Sequence, residues 1–408
     1  MAKQSKTTAV PMLRFPEFPA SQGWSLKQGD DLFDAINNRE SSAGLPILAI
    51  TQEHGAVPRD QIDYHVSVTE KSIESYKVVE QGDFIISLRS FQGGIEYSTY
   101  RGICSPAYVI LRRKGEGSDE YFRHLFKSPR FIRQLTRNIE GLRDGKMISY
   151  KQFSEQLIPV PNPAEQQKIA DCLTSLDEVI AAQGRKVQAL KTYKRGLMQR
   201  LFPREGETVP RLRFPEFRDA PEWAEEKAGT LFANRSERGD EALPIYSVTM
   251  TDGLVKRTSL DRRIDDLADA SGNKKVYRND IAYNMMRMWQ GACGIAQDEC
   301  MVSPAYVVLS PQPGVHAPFY GYLFKLPHML RRFTAHSRGL TEDRLRLYYQ
   351  DFSAIALPKP NEREQERIAK CLADLDARVA VESEKLDALK THKKGLMQQL
   401  FPASDGVV

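Results

Sequence analysis

Along residues 161–203 the apolar positions fall alternately four and three apart for more than four heptads. They are Ile169, Leu173, Leu176, Ile180, Val187, Leu190, Leu197 and Leu201, with Gln183 and Lys194 interrupting the stripe. A stripe this long and narrow predicts a helix whose seam meets a second helix. The pattern returns 199 residues later, over 360–402. There it runs through Ile368, Leu372, Leu375, Val379, Leu386, Leu389, Leu396 and Leu400, broken by Glu382 and Lys393. Aligned without gaps, 24 of 43 positions are identical, so a duplication organises the chain. Polar residues in such a seam fix register and partner at some cost in stability. Asn162 and Asn361 stand at the cap positions, with Glu165 and Glu364 at the third helical position. Phe-Pro at 202–203 and 401–402 marks the two stops. The alternative, two unrelated amphipathic helices on two cores, suits a broader stripe.

The duplication extends beyond the helices. VPMLRFPEF at 10–18 recurs as VPRLRFPEF at 209–217, and Trp24 as Trp223. LPI at 45–47, SPAYVIL at 105–111 and LFKSP at 125–129 recur 198 residues on, with small changes. The shared pieces are strand-like or aromatic, as a core requires; the unshared ones are polar, basic and Gly-containing, as loops are. One scaffold is thus used twice, with different loops. Short β-branched or aromatic runs at 84–88, 107–111 and 157–160 predict strands, matched by 281–283 and 305–309. Helical spacing covers 120–135 and 319–333, with Pro129 kinking or splitting the first. The expected class is α+β: two mixed α/β domains separated by a long antiparallel two-helix coiled coil, with a pseudo-two-fold internal repeat. The expected order is domain 1 at 1–160, helix 1 at 161–203, domain 2 at 204–359, helix 2 at 360–402 and a tail at 403–408.

Connectivity carries the antiparallel expectation. A helix of about 38 residues is about 57 Å long. The stretch after Pro203 reaches at most about 35 Å before Phe214. Domain 2 must therefore lie near the end of helix 1 and also at the start of helix 2, so paired helices run antiparallel, and the N-terminal segment approaches the end of helix 2. Two readers on a rod with two-fold symmetry suit double-stranded DNA, whose grooves recur about every 34–36 Å.

Composition narrows the class. At 408 residues, 41% hydrophobic and 27% charged, the chain has the make-up of a globular protein of two or more domains. No apolar run approaches a membrane span, and the first residues carry no secretory pattern. Five cysteines without ligand spacing predict reduced thiols and a cytoplasmic setting. A net charge of +5 permits an anionic partner without requiring one.

The duplicated PNPAEQQKIADCL and PNEREQERIAKCL, the Leu-Arg-Phe-Pro-Glu-Phe lead-ins and the Lys-x-Gly-Leu-Met-Gln-x-Leu-Phe-Pro helix ends resemble the specificity (S) subunits of type I restriction–modification enzymes. The resemblance covers nearly the whole chain. It implies that each domain reads half of a bipartite, asymmetric DNA target and that the helices set the spacing. It also implies that two DNA adenine methyltransferase subunits dock on the helices and that restriction/translocase subunits join them. S-adenosylmethionine, ATP and Mg are then expected in those partners, none of them on this chain. Two rival readings stay open: a specificity chain of another restriction–modification type, and a DNA-independent scaffold.

Catalytic motifs are missing. There is no Gly-x-x-x-x-Gly-Lys-Ser/Thr loop and no Asn/Asp-Pro-Pro-Tyr/Phe. No metal site is expected: Asp265, Asp266 and Asp269 read as a solvated loop, and the seven histidines lack partner spacing. The glycines at 93–94 and 291–294 read as tight turns. DNA contacts must then come from loops. In domain 1 the candidates are Arg89, Ser90, Gln92, Tyr97, Tyr100 and Arg101, then Arg143 and Lys146. In domain 2 they are Arg287, Trp289 and Gln290, then Arg338, Thr341, Arg344 and Arg346. Arginine suits guanine and glutamine suits adenine in the major groove; equally, these arginines can hold phosphates or form salt bridges. Lys274, Lys275, Arg262, Arg263, Arg331 and Arg332 are phosphate contacts or plain solvated bases. Lys194, Arg195, Lys393 and Lys394 face solvent or a partner subunit.

Overall fold

The computed structural model describes residues 8–18, 23–39, 44–62, 73–137, 148–240, 242–260, 272–341 and 344–402. The chain forms two compact units. Unit 1 combines residues 1–184 with 384–408, and unit 2 is residues 185–383. Each unit therefore holds part of both long helices.

In unit 1 an antiparallel four-stranded sheet runs in the order Phe33–Ile36, Val109–Arg113, Phe84–Ile86, Glu96–Tyr97. A three-stranded sheet pairs Trp24–Gln28 with Thr8–Ala9 on one side and Leu157–Val160 on the other. Leu48–Thr51 pairs with Gly55–Pro58, and Lys77–Val79 with Gly102–Cys104. A parallel bridge from Ile47 to Ile103 joins these two ribbons. The core gathers on Phe33, whose ring lies 5.2–5.7 Å from Phe84, Phe122, Phe126 and Phe153.

Unit 2 repeats the plan. Phe232–Arg235, Tyr306–Pro311, Ile281–Asn284 and Cys293–Ile295 form the antiparallel sheet. Leu254–Lys256, Ile245–Val248, Cys300–Val302 and Lys274–Val276 form a second sheet of mixed direction. Phe232 holds the place of Phe33, with Tyr320 at 5.1 Å and Phe352 at 6.4 Å. The buried aspartate ahead of each central strand shows how the copies diverged under one constraint. Asp83 is clasped by Arg112 at 2.8 and 2.9 Å, while Asp280 is clasped by Arg235, from a different strand, at 2.7 and 3.3 Å. A buried carboxylate must be paired, but the pairing cation can come from either side.

The strands expected at 84–88, 107–111, 157–160, 281–283 and 305–309 are present with ends shifted by up to two residues. The helix expected at 120–135 is split into Asp119–Phe126 and Pro129–Thr136. Pro129 has no N–H to continue the first helix and starts the second, while Ser128 Oγ accepts from Phe131 N at 3.2 Å. The segment expected at 319–333 divides in the same way, into Ala317–Leu323 and Pro327–His336.

The two long helices span Pro163–Leu201 and Glu362–Leu400, 39 residues each. Asn162 Oδ1 accepts from Glu165 N and Asn361 Oδ1 from Glu364 N, both at 2.9 Å, as the cap pattern predicted. The glutamates themselves go elsewhere. Glu165 takes two bonds from Arg14, at 2.7 and 2.6 Å, and Glu364 takes two from Arg213, at 2.7 and 2.8 Å. The adjacent glutamines are also buried. Gln166 bridges Pro161 O and Ser118 N; Gln365 bridges Pro360 O, Gly314 O and His316 N. The repeated Glu-Gln thus ties each helix start to its own lead-in segment and domain.

Every expected seam residue is buried or half-buried. In unit 2, Lys194 reaches Asp376 and Lys186 reaches Glu382, each at 2.5 Å, so one helix descends as the other rises and the segments are antiparallel. In unit 1, Lys393 meets Asp177, while Met397 and Leu400 join the core cluster of Ile169 and Leu173. The seam ends are therefore absorbed into the domain cores. Leu13 N donates to Gln399 O at 3.0 Å, which brings the N-terminal segment to the end of the second helix as expected.

Candidate nucleic-acid interface

Each unit presents an equivalent turn after its central strand. In unit 1, residues 87–94 carry Arg89 and Gln92 to the surface. Gly94 has φ +82°, and a Cβ on it would meet Phe126 O at 2.1 Å, so the turn requires glycine there. In unit 2 the turn carries Arg287 and Gln290, exposed, and closes on Gly291 at φ +87°. Neither Arg89 nor Arg287 makes a side-chain hydrogen bond or ion pair with another described residue. Beside them stand Leu88 and Met286, 198 residues apart and both exposed. An apolar side chain next to a free arginine can pair a thymine methyl with a guanine edge. Sequence reasoning missed these two; the signal was an apolar residue at one repeated position just outside the strand.

In unit 2 the second set converges on the same region. Leu347 N donates to Met285 O at 2.9 Å, joining the 344–350 segment to the turn. Arg338 and Arg346 exchange backbone bonds at 2.9 Å. Arg338, Arg344 and Arg346 line an open concavity of about 830 Å3 with Gly339, Tyr348 and Gln350. Arg338 is anchored by Asp351 at 2.5 Å, which holds its pKa above the ordinary guanidinium value. Thr341 is exposed in the same loop. Gln350, on the short helix Tyr349–Ser353, is a further glutamine the sequence reading did not single out. Arg143 and Lys146, the unit 1 counterparts of this set, lie outside the described residues, as do Arg262, Arg263, Asp265, Asp266 and Asp269.

Other candidates are used internally. Ser90 is buried, and its hydroxyl accepts from Ser87 N at 2.8 Å; it shapes the turn. Tyr97 is half-buried, packed 5.0 Å from Phe84. Trp289 is half-buried, and its indole donates to Met286 O at 3.1 Å. Tyr100 is exposed but donates to Gln61 at 3.2 Å, and Arg101 pairs with Glu80 at 3.1 Å. Lys274 donates to Tyr306 O at 2.6 Å, and burial lowers its pKa; Lys77 does the same with Tyr108 O in unit 1. Lys275 lies 4.5 Å from the centre of the Tyr277 ring and 3.5 Å from Glu299. Arg331 pairs with Glu205 and Arg332 with Glu225. The sequence showed these as basic residues without showing their acidic neighbours.

Burial raises the thiol pKa values of Cys104 and Cys300 to about 12 and of Cys293 to about 11. Among the described residues no group of His, Cys, Asp or Glu is placed to hold a metal ion. No described helix is long and apolar enough to cross a membrane.

Comparison with known proteins agrees with this geometry. The chain matches the family model "Type I restriction modification DNA specificity domain" twice, over residues 23–192 and 225–391. The MjaVIII specificity subunit of a type I restriction enzyme from Methanocaldococcus jannaschii is 24% identical over 199 residues, 47% of this chain. That match spans 43% of the relative's length. A type I restriction–modification S subunit from M. genitalium shares the fold over 96% of this chain and 99% of its own, at 15% identity and TM-score 0.55. A chain from a study of complex assembly and conformational transition of the type I R-M system aligns over the full length of both, at 17% identity and TM-score 0.55. With two matched copies over most of its length, the chain belongs to the type I restriction–modification DNA specificity family.

Proposed function

We propose that this chain is the target-recognition subunit of a type I restriction–modification complex. Each unit reads one half of a split, asymmetric double-stranded DNA target, and the paired helices set the distance between the halves. The helices also dock two adenine methyltransferase subunits, and restriction/translocase subunits complete the assembly. Methyl transfer with S-adenosylmethionine, and ATP- and Mg-dependent translocation and cleavage, belong to those partners, working in the cytoplasm. One observation supports the reading above the rest. The same turn recurs on the same scaffold with an exposed, unpartnered arginine at its start, Arg89 or Arg287, while its neighbours differ. A constant arm with variable flanks is what two different half-sites demand.

The test is a map of methylated adenines in host DNA with and without the gene. A split asymmetric motif that vanishes on deletion supports the proposal. With a methyltransferase shown to be expressed, identical maps overturn it.

A further inference from the structure

A cleft of about 880 Å3 lies in unit 2, between the later part of the first long helix and the sheet edge Cys293–Ile295. The internal repeat supplies its comparison. At the equivalent positions unit 1 carries Glu96, Tyr97 and Arg123, and unit 2 carries Gly294, Ile295 and Gly321, each 198 residues on. Strand register confirms the match: Glu96 pairs with Ile85 as Gly294 pairs with Ala282, each on the central strand. Three large side chains are replaced by smaller ones that line the cleft, with the Leu254 backbone where a Cβ of Gly294 would stand and the Ile295 side chain where one of Gly321 would.

One member of the unit 1 arrangement is retained. Lys127 Nζ donates to Glu96 Oε1 at 2.5 Å, holding a buried carboxylate. Its counterpart Lys325 lines the cleft, but the carboxylate is gone, because a Cβ at Gly294 would lie 2.2 Å from Leu254 N. Lys325 is exposed and makes no side-chain hydrogen bond or ion pair with another described residue. Lys191 and Arg195, exposed on the helix and equally unpaired, line the same cleft. Met198, Leu254 and Ile295 form its apolar wall. The two acids in the lining are already engaged: Asp376 by Lys194 at 2.5 Å and by the Tyr322 hydroxyl at 2.7 Å, and Asp252 by the Thr251 hydroxyl at 2.8 Å.

We propose that this cleft receives a protein partner through one glutamate or aspartate. Its carboxylate sits on Lys325 as Glu96 sits on Lys127, and its apolar neighbours cover Met198, Leu254 and Ile295. A DNA backbone fits less well, since phosphates offer nothing to cover an apolar wall. The inference rests on the functional reading above, in which the chain works bound to methyltransferase subunits.

The experiment uses the full chain and its cognate methyltransferase subunit, with affinity for that subunit and for target DNA measured separately. Lys325→Glu is expected to weaken methyltransferase binding about tenfold or more, with Lys325→Ala in between. Because Lys325 is exposed, the melting temperature should not move. Carbodiimide coupling should join Lys325 to a carboxylate of the partner, and changing that carboxylate to lysine should restore binding to Lys325→Glu. Lys127→Ala is the internal control: it should lower unit 1 stability and leave partner affinity unchanged. If Lys325→Glu binds the methyltransferase as wild type does, the proposal is wrong. A loss confined to DNA affinity, with a shallower salt dependence, assigns Lys325 to phosphate and also overturns it. A wild-type chain that does not bind the methyltransferase overturns the functional reading itself.

Discussion

Lys393 Nζ lies 2.5 Å from both carboxylate oxygens of Asp177. Lys194 and Asp376 form the same bond in unit 2, each residue 199 positions from its counterpart. The polar breaks in the seam at 194 and 393 are therefore ion pairs between the two long helices. They are partly exposed, so the gain is modest. A double-mutant cycle on Lys393 and Asp177, read by chemical denaturation, should return about 1 kcal/mol of coupling. Lys393→Met should cost less than Asp177→Ala, because the latter leaves a half-buried ammonium without its partner. Zero coupling would make the pair incidental.

Arg14 and Glu165 should matter far more. Both are nearly buried, with two charge-assisted bonds between them. Arg14→Met leaves a buried carboxylate unpaired and is expected to cost about 3 kcal/mol or more. Arg213→Met should do the same to unit 2 through Glu364. Glu165→Gln together with Arg14→Met should recover part of the loss, measured by urea unfolding. A loss below about 1 kcal/mol would mean that water satisfies Glu165 instead.

Arg89→Ala is expected to relax or abolish recognition of one half of the target and leave assembly with the methyltransferase intact. Arg287→Ala should act on the other half. Adenine-methylation maps of the two variants read this directly. Weaker binding with unchanged sequence preference would move Arg89 to the phosphate backbone, and a lost fold would make it structural.

Stability should carry a histidine signature. His124 is buried against the helix, 3.1 Å from Thr174, and burial with the nearby Lys393 lowers its pKa to about 4, against the pull of Asp177. Its folded pKa lies below the ordinary value of 6.5. The unfolded chain therefore binds the extra proton first, and the folded state loses stability as pH falls from about 6.5 towards 4. His124→Asn should flatten that part of a melting-temperature profile. His316 and His328, shifted in the same direction by burial, remain in the variant and keep a residual slope. An unchanged profile would show that His124 titrates as if exposed.

The long helices, their caps and their seam were legible because a heptad stripe and its duplication are local patterns with one physical reading. Strand positions came through for the same reason, and the split at Pro129 follows from proline's missing N–H. The candidate interface was legible only in part. Arg89, Arg287, Arg338, Arg344 and Arg346 are exposed as expected. Ser90, Tyr97 and Lys274 bond or pack inward, because their partners (Ser87 N, Phe84 and Tyr306 O) are set by folding, not by spacing. The clasp of Glu165 by Arg14 spans 151 residues, and no local pattern announces it.

Unit 1 is assembled from both ends of the chain. Tyr121 packs 5.7 Å from Phe401, and Arg130 donates to Phe401 O at 2.8 Å. On the ribosome, unit 2 is continuous and can close once residue 383 has emerged, while unit 1 must wait, its core open, until 397–401 arrive. The earlier-translated unit is then the later to finish folding, and a truncation ahead of residue 397 would disable unit 1 rather than unit 2.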